Sequence, residues 1–349
     1  MISKDMKGIK HLLFIVGFPT LLCFGACSAE DEAQGDGMPI SFLTTVDNPQ
    51  TRADLTTDNL LTMGVFAYHT SDNFSDAATP GFMFNQKVER TENKAAWTYS
   101  PLRYWPNNPA DKLSFFAYAP YVDETAEGGS NPAFPDRITA KGYLTFTYTV
   151  PEKETDGTDL LVAVPLMNYT YADATGGKIA FKMTHALTRV NIKIVGGESY
   201  TVKTVTALSL FAPASAKLTV RIPPSTGETP CVWSDRTANK EIQAGISSPV
   251  NVTSTASPLA TFYLIPPADN PSSVSLKLNY TFARSDGTAG LTTMEKTVSL
   301  SATPAWTPGA SVSYTLNISG SQLTIESAKE DISWESGGDP TEGELGTST

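Results

Sequence analysis

The chain has 349 residues, a formal net charge of −11 and 40% hydrophobic residues, which is enough apolar material for ordinary packed cores. This length favours two domains. Charged residues make up only 17% of the chain, and an acidic balance without any basic run argues against nucleic acid as a partner.

The first predicted segment is a lipoprotein signal peptide, residues 1–26. Basic residues precede an apolar run from Leu12 to Ala26, which is short for a membrane span of about 20 residues. Cys27 follows directly, so we expect signal cleavage between Ala26 and Cys27 and a lipid, including palmitate, on Cys27. An ordinary signal peptide with an incidental cysteine is the alternative. Residues 27–37 are acidic and should form a solvated tether.

A strand followed by a polar turn is predicted next, in the stretch ISFLTTVDNPQTRADL at residues 40–55. Alternation places four side chains on one face of the strand, those of Ile40, Phe42, Thr44 and Val46. The turn contains Arg52, the only Lys or Arg between Lys10 and Lys87. A trypsin-like protease needs one basic side chain on an exposed, extended backbone. Cleavage between Arg52 and Ala53 is therefore one interpretation, and an ordinary surface arginine is the other.

Short alternating runs bounded by Gly, Pro, Asn and Asp fill the rest of the chain, and helical periodicity is almost absent. This spacing of short strands favours β-sandwiches. In GYLTFTYTV we expect one buried face, formed by Leu144, Phe146 and Tyr148. The stretch ARSDGT, residues 283–288, should be the turn of a β-hairpin.

The stretch YADATGGK, residues 171–178, is polar and glycine-rich and is predicted to contain a domain boundary. The resulting division gives an N-terminal domain at 38–175 and a C-terminal domain at 176–334. Residues 335–349 have almost no apolar side chains and should be a disordered tail.

Residues that could support catalysis are few. After signal removal only Cys231 remains beside Cys27, so we expect no intramolecular disulfide. His69 and His185 lie far apart in sequence, and no cluster has the spacing of zinc ligands. Cys231 could pair with either histidine as a nucleophile, but a buried cysteine and two structural histidines are more common. No catalytic motif is present, and we predict no enzyme activity, no cofactor and no metal.

An aromatic-rich stretch, YWPNNPADKLSFFAYAPY at residues 104–121, has two interpretations. Aromatic side chains suit strands and bury large areas, so they are expected in the core. An exposed platform for stacking on a glycan is the alternative. The residues in question are Tyr104, Trp105, Phe115, Phe116 and Tyr118.

Taken in order, these features resemble the fimbrillin family of Bacteroidales type V pili. The resemblance rests on the lipoprotein signal, the stretch with Arg52, the aromatic stretch at 104–121, DLLVAV…GKIAFKMTHALTRVNIKIV at 159–195 and WTPGASVSYTLNI at 306–318. It covers nearly the whole chain. It implies an all-β fold of two transthyretin-like β-sandwich domains in tandem, no enzymatic activity, and a location in the cell outer membrane and surface fimbriae.

The resemblance also implies a function, which is that of a structural subunit contributing to adhesion. Such a subunit would be cut after Arg52 by an arginine-specific protease and would polymerise by donor-strand exchange. Its partners would be other fimbrial subunits, the protease and, before maturation, the membrane through the lipid. The stretch SQLTIESAKEDISWES supplies a candidate donor strand, with inward side chains Leu323, Ile325, Ile332 and Trp334. Pairing of this stretch within its own second domain is the alternative. The competing function is that of a monomeric surface lipoprotein that binds a glycan or a host protein.

Overall fold

The chain folds almost entirely into β-strands. The computed structural model describes residues 37–46, 55–123, 141–196, 200–225, 228–268, 273–284, 290–301 and 304–329. Within them, two 3₁₀ turns cover Glu154–Asp156 and Tyr171–Asp173. The strands in chain order are β1 (Ser41–Val46), β2 (Thr62–Thr70), β3 (Met83–Glu89), β4 (Lys112–Ala119), β5 (Thr145–Thr149), β6 (Leu161–Ala163), β7 (Leu166–Tyr169), β8 (Lys178–His185), β9 (Thr188–Gly196), β10 (Tyr200–Pro213), β11 (Ser215–Val220), β12 (Cys231–Ser234), β13 (Asn239–Gln243), β14 (Val250–Asn251), β15 (Ser257–Leu264), β16 (Ser275–Arg284), β17 (Thr292–Ser299), β18 (Ser311–Ser319) and β19 (Gln322–Lys329).

Seven strands form the first sheet, in the order β1-β8-β6-β4-β2-β3, with β7 paired to β4. All neighbours in this sheet are antiparallel except β1, which runs parallel to β8. Its central strands β2 and β4 are buried on both faces over most of their length. On β4, Phe115 lies in one hydrophobic cluster and the adjacent Phe116 lies in another. Burial on two faces explains why β2 and β4 have nearly continuous apolar sequences.

Three further sheets follow, with the orders β12-β11-β5, β13-β10-β16-β17 and β15-β9-β18-β19, and β14 pairs with β10. Their inward side chains, from β5, β9, β11, β16 and β18, share one large cluster with one face of the first sheet. The smaller cluster lies on the opposite face of the first sheet and includes the inward side chains of β1.

The predicted all-β fold is confirmed, and so are several of its details. Leu144, Phe146 and Tyr148 are buried. Strands β16 and β17 pair antiparallel, as the hairpin predicted around 283–288 requires, and residues 285–289 between them lie outside the described residues.

The glycan platform predicted as an alternative for the aromatic stretch is wrong for four of its five side chains. Trp105, Phe115, Phe116 and Tyr118 are buried in the two clusters, and Tyr104 is half-buried. Strands on a sheet with two buried faces have no outward face on which aromatic rings could be exposed.

The domain boundary at 175/176 stays a prediction. Strand β8, which follows that boundary, belongs to the first sheet between β1 and β6. Strand β5 precedes the boundary and pairs with β11, which follows it.

Candidate functional site

Phe42, Thr44 and Val46 lie on β1 at one edge of the first sheet, and Ile40 directly precedes that strand. Strand β1 pairs with β8 along all six of its residues, from Ser41 opposite Lys178 to Val46 opposite Met183. Ile40, Phe42 and Val46 are 1%, 3% and 2% exposed. Burying side chains of this size stabilises a fold by roughly 1.5–3 kcal/mol each. Burial of these side chains therefore helps to hold β1 in place, beside its ladder with β8.

Phe42 is the centre of these contacts. Its ring lies 5.7 Å from Phe181 in a stacked arrangement, 5.4 Å from Tyr99 in a tilted one and 6.5 Å from Phe115 in an edge-on one. We call the surface that β1 covers the β1 groove and define it by Tyr99, Arg103, Phe115 and Phe181. Without β1, the three rings of this groove would be exposed to solvent at one sheet edge.

The start of β1 is also paired on its outer side. The Ile40 amide donates to the Arg103 carbonyl at 2.9 Å, and the Trp105 amide donates to the Met38 carbonyl at 3.1 Å. The Tyr99 hydroxyl donates to the Ile40 carbonyl at 2.8 Å. The groove thus offers backbone hydrogen-bond partners on two sides, from β8 and from residues 103–105. The sequence of residues 103–105 did not indicate this role.

Residues 47–54, which contain Arg52 and Ala53, lie outside the described residues, but both of their flanks are fixed. The Val46 amide donates to Thr57 Oγ1 at 2.9 Å. The Leu55 amide donates to Asp159 Oδ2 at 3.1 Å. The two ends of this eight-residue segment are therefore held by separate side chains.

Arg90 holds the chain that follows this segment. Its Nε donates to the Leu60 carbonyl at 2.7 Å, its Nη2 donates to the Thr57 carbonyl, and its guanidinium lies 4.8 Å from the centre of the Trp97 ring. Only 8% of Arg90 is exposed. Burial lowers the pKa of Arg90, and the charge of Asp58 acts in the opposite direction. Nothing in the sequence singled out this arginine, because its partners are carbonyls about 30 residues away.

A buried Asp–His pair also anchors the same region. His185 Nδ1 lies 2.6 Å from Asp159 Oδ2, the same oxygen that accepts the Leu55 amide. Both side chains are almost fully buried. This geometry confirms the expectation that His185 is a hydrogen-bonded structural residue.

Thr44 differs from the other inward side chains of β1. Its Oγ1 is buried and has no hydrogen-bond partner in the part of the chain that the structure describes. Its register neighbour on β8 is Phe181, which offers no polar side-chain group to the hydroxyl.

The candidate donor residues are divided by the limits of the structure. Leu323 and Ile325 lie in β19, which pairs antiparallel with β18 of the same chain. Both are partly buried against the large cluster. Ile332 and Trp334 lie outside the described residues, as do Ala26 and Cys27. Within those limits β19 is an edge strand with one neighbour.

His69 and Cys231, the other residues that could support catalysis, lie in different surroundings, one on the surface and one in the core. His69 Nε2 lies 2.8 Å from Asp111 on the surface. Cys231 is buried, and burial raises its pKa to about 12, which makes its thiol a poor nucleophile near neutral pH. Within the described ranges no group of three or more His, Cys, Asp or Glu side chains could hold a metal ion. None of the helices found there is long and apolar enough to cross a membrane.

The chain is similar in sequence or in fold to several known proteins. In sequence, the chain is 30% identical over 201 residues to "Fimbrium subunit Fim1C" of Phocaeicola vulgatus, a match that covers 53% of this chain and about half, 51%, of that relative. In structure, it is similar to a fimbrial protein from Bacteroides vulgatus, with a TM-score of 0.59, 24% identity, and coverage of 83% of this chain and 98% of that one. It is also similar to a candidate cell adhesion protein from Bacteroides uniformis, with a TM-score of 0.52, 20% identity and coverage of 84% and 98%.

The profile of one family, described as fimbrillin-like, matches residues 51–337. This range includes the aromatic stretch, both sides of the predicted domain boundary and β19, and it begins next to Arg52. The chain belongs to the fimbrillin-like family.

Proposed function

We propose that the chain is a structural subunit of a cell-surface fimbria that is exported as a lipoprotein, cut after Arg52 and polymerised by strand exchange. The observation that carries the proposal is β1 itself. It is an edge strand whose inward side chains fill a groove, and its covalent connection to the rest of the described fold is through residues 47–54 alone. One cut in that segment would leave β1 held only by noncovalent contacts.

The fixed flanks of residues 47–54 support cleavage at this place. Val46 is tied to Thr57, and Leu55 is tied to Asp159, so a protease would meet a short segment between two anchored stems. Arg90 and Asp159 hold residues 55–60 through contacts that do not involve β1. The new amino terminus would therefore stay in place when β1 leaves.

Loss of β1 would create a site for another strand. The β1 groove would expose its aromatic rings, the free edge of β8 and the backbone groups of residues 103–105. An exposed sheet edge beside an apolar groove is a template for an added strand. If the strand comes from a second subunit, the contact is head-to-tail and extends into a fibre.

The lipid would attach the precursor to the outer membrane before assembly. Since one acyl chain gives only marginal membrane binding, the two or three chains expected on Cys27 make attachment firm. Metabolic labelling with a tagged palmitate analogue tests this step, because Cys27→Ser should abolish the label. A label that persists in this variant would rule out Cys27 as the site.

Substitution of Arg52 tests the maturation step. Arg52→Ala should leave a cell-bound precursor that forms no fibres, as judged by amino-terminal sequencing of surface protein and by electron microscopy. Arg52→Lys is the matched variant, because it keeps the charge and removes the guanidinium that an arginine-specific protease requires. It should therefore stay uncut as well. Wild-type fibres from Arg52→Ala would overturn the proposed mechanism.

One observation favours the competing function. Because β19 is already paired with β18 in the same chain, Leu323 and Ile325 have packing partners without a second subunit. A monomeric surface lipoprotein that binds a glycan or a host protein would leave this hairpin intact. Native gel analysis after cleavage at Arg52 separates the two functions, since only a fimbrial subunit would form ladders.

A further inference from the structure

Thr44 is the polar exception on the inward face of β1. The neighbouring inward side chains, Phe42 and Val46 on β1 and Ile40 just before it, are apolar and buried. The Thr44 hydroxyl oxygen is also buried, and among the described residues it has no hydrogen-bond partner. A hydroxyl in this position has left water without gaining a replacement bond, which opposes burial of the strand.

Two features make this defect specific to the strand that fills the groove. First, the hydroxyl belongs to β1 and not to the groove, so it leaves the fold when β1 leaves. Second, β1 forms a parallel ladder with β8, and parallel pairing is slightly less stable per residue than antiparallel pairing. Valine has nearly the shape of threonine and the same preference for strands. A valine at position 44 would therefore keep the packing and remove the unpaired hydroxyl.

We propose that Thr44 determines how readily β1 leaves its groove, and that a strand with a branched aliphatic side chain at this register position binds the groove more tightly than β1 does. The proposal rests on the proposed function, because it makes β1 a temporary occupant. The groove would hold β1 firmly enough for folding, and the hydroxyl of Thr44 would favour its replacement by a second strand.

Hydrogen–deuterium exchange on the uncut, full-length protein tests the proposal directly. The amides of residues 40–46 report on local opening of β1. Thr44→Val should slow their exchange about tenfold, which corresponds to about 1.4 kcal/mol. Thr45→Val is the matched control, because it removes the same atoms from the neighbouring residue on the opposite face and should leave exchange unchanged. Equal or faster exchange in Thr44→Val would overturn the proposal.

Fibre formation after cleavage separates this proposal from the proposed function. If both hold, Thr44→Val is cut at the normal rate and forms fibres about tenfold more slowly than Thr45→Val. If neither variant nor the wild-type protein forms fibres, the proposed function fails, while slower exchange in Thr44→Val still supports the weak retention of β1. Fibres that form equally fast in both variants would overturn the role of Thr44 in release.

Discussion

The ring of Phe42 is stacked on the ring of Phe181, with centroids 5.7 Å apart and ring planes 9° apart. This contact joins the edge strand β1 to its parallel neighbour β8, and the edges of Tyr99 and Phe115 complete the surroundings of Phe42. Phe42 therefore contributes contacts with three rings to the packing that holds β1 in the uncut chain, beside the β1–β8 ladder.

Replacing this side chain should weaken the packing of β1 in the uncut chain and lower the stability of the fold. Phe42→Ala is expected to lower the free energy of unfolding by about 3–5 kcal/mol, because it leaves a cavity between three rings. Urea unfolding measures the change. Leu43→Ala is the control on the opposite face of the same strand, where the side chain is only half-buried, and should cost much less. Equal losses in the two variants would contradict the assigned direction of the β1 face.

Arg90 should be needed to hold the chain after the maturation segment. Arg90→Ala removes the donors to the Thr57 and Leu60 carbonyls and is expected to cost on the order of 2–3 kcal/mol. Hydrogen exchange should rise in residues 55–61 more than elsewhere. Arg90→Lys should restore little, since an ammonium on a flexible stem cannot reproduce the planar guanidinium fork or its stacking on Trp97. Lys94→Ala, at a nearby exposed site, serves as the control. A similar rise in the hydrogen exchange of residues 55–61 in Lys94→Ala would refute the role of Arg90.

Part of this arrangement follows from the sequence, and part of it does not. Alternation predicts the inward face of β1, since Ile40, Phe42 and Val46 are all buried. It does not predict that β1 lies parallel to β8, because the pairing joins residues more than 130 positions apart. The isolation of Arg52 was visible in the sequence, whereas the roles of Arg90 and Asp159 were not. Both act on backbone groups distant in sequence, and such contacts leave no local pattern.

The two interpretations of the aromatic stretch at residues 104–121 show the same limit of prediction from sequence. The composition of residues 104–121 predicts strands with large side chains, and β4 fulfils that prediction. Only the fold shows that both faces of β4 are covered, which buries Phe115 and Phe116 in different clusters. The backbone of residues 103–105 forms one side of the β1 groove for a reason that side-chain patterns cannot indicate, since its contribution comes from amide and carbonyl groups.

Stability should fall at alkaline pH. Burial raises the pKa of Cys231 to about 12 and also raises the pKa values of Tyr68 and Tyr148. In the unfolded chain the pKa of a thiol is about 8.5 and the pKa of a phenol is about 10. Above these values the unfolded chain has released protons that the folded chain keeps. The free energy of unfolding therefore decreases as pH rises, and the contribution of Cys231 is fully retained only below about pH 8.5.

A cysteine substitution isolates one of these groups. Cys231→Ala should reduce the slope of unfolding free energy against pH by about 1.4 kcal/mol per pH unit between about pH 9 and about pH 12. Urea unfolding at about pH 8, 9.5 and 10.5 gives the slopes, and comparing slopes removes the constant cost of the lost side chain. Unchanged slopes would show that the Cys231 thiol ionises in the folded protein at its ordinary pKa.

A crosslink across the last hairpin should decide which part of the C-terminal stretch is donated. Thr315 on β18 and Glu326 on β19 are directly opposite each other, and both point away from the buried Leu316 and the half-buried Ile325 beside them. Paired strand residues lie close enough for a disulfide in suitable geometry. The double variant Thr315→Cys, Glu326→Cys would therefore fix β19 to β18. The buried thiol of Cys231, with its raised pKa, should not compete in this reaction.

The expected result follows from where Leu323 and Ile325 lie. If they are donated to a second subunit, β19 must separate from β18, and the oxidised variant should be cut at Arg52 but form no fibres. Adding a reductant should restore assembly in the same sample, which makes the reduced form its own control. Electron microscopy and mild-detergent gels measure both states. If oxidised and reduced protein form fibres equally well, β19 stays paired during assembly, and the donated residues must lie beyond it, where Ile332 and Trp334 are the apolar candidates.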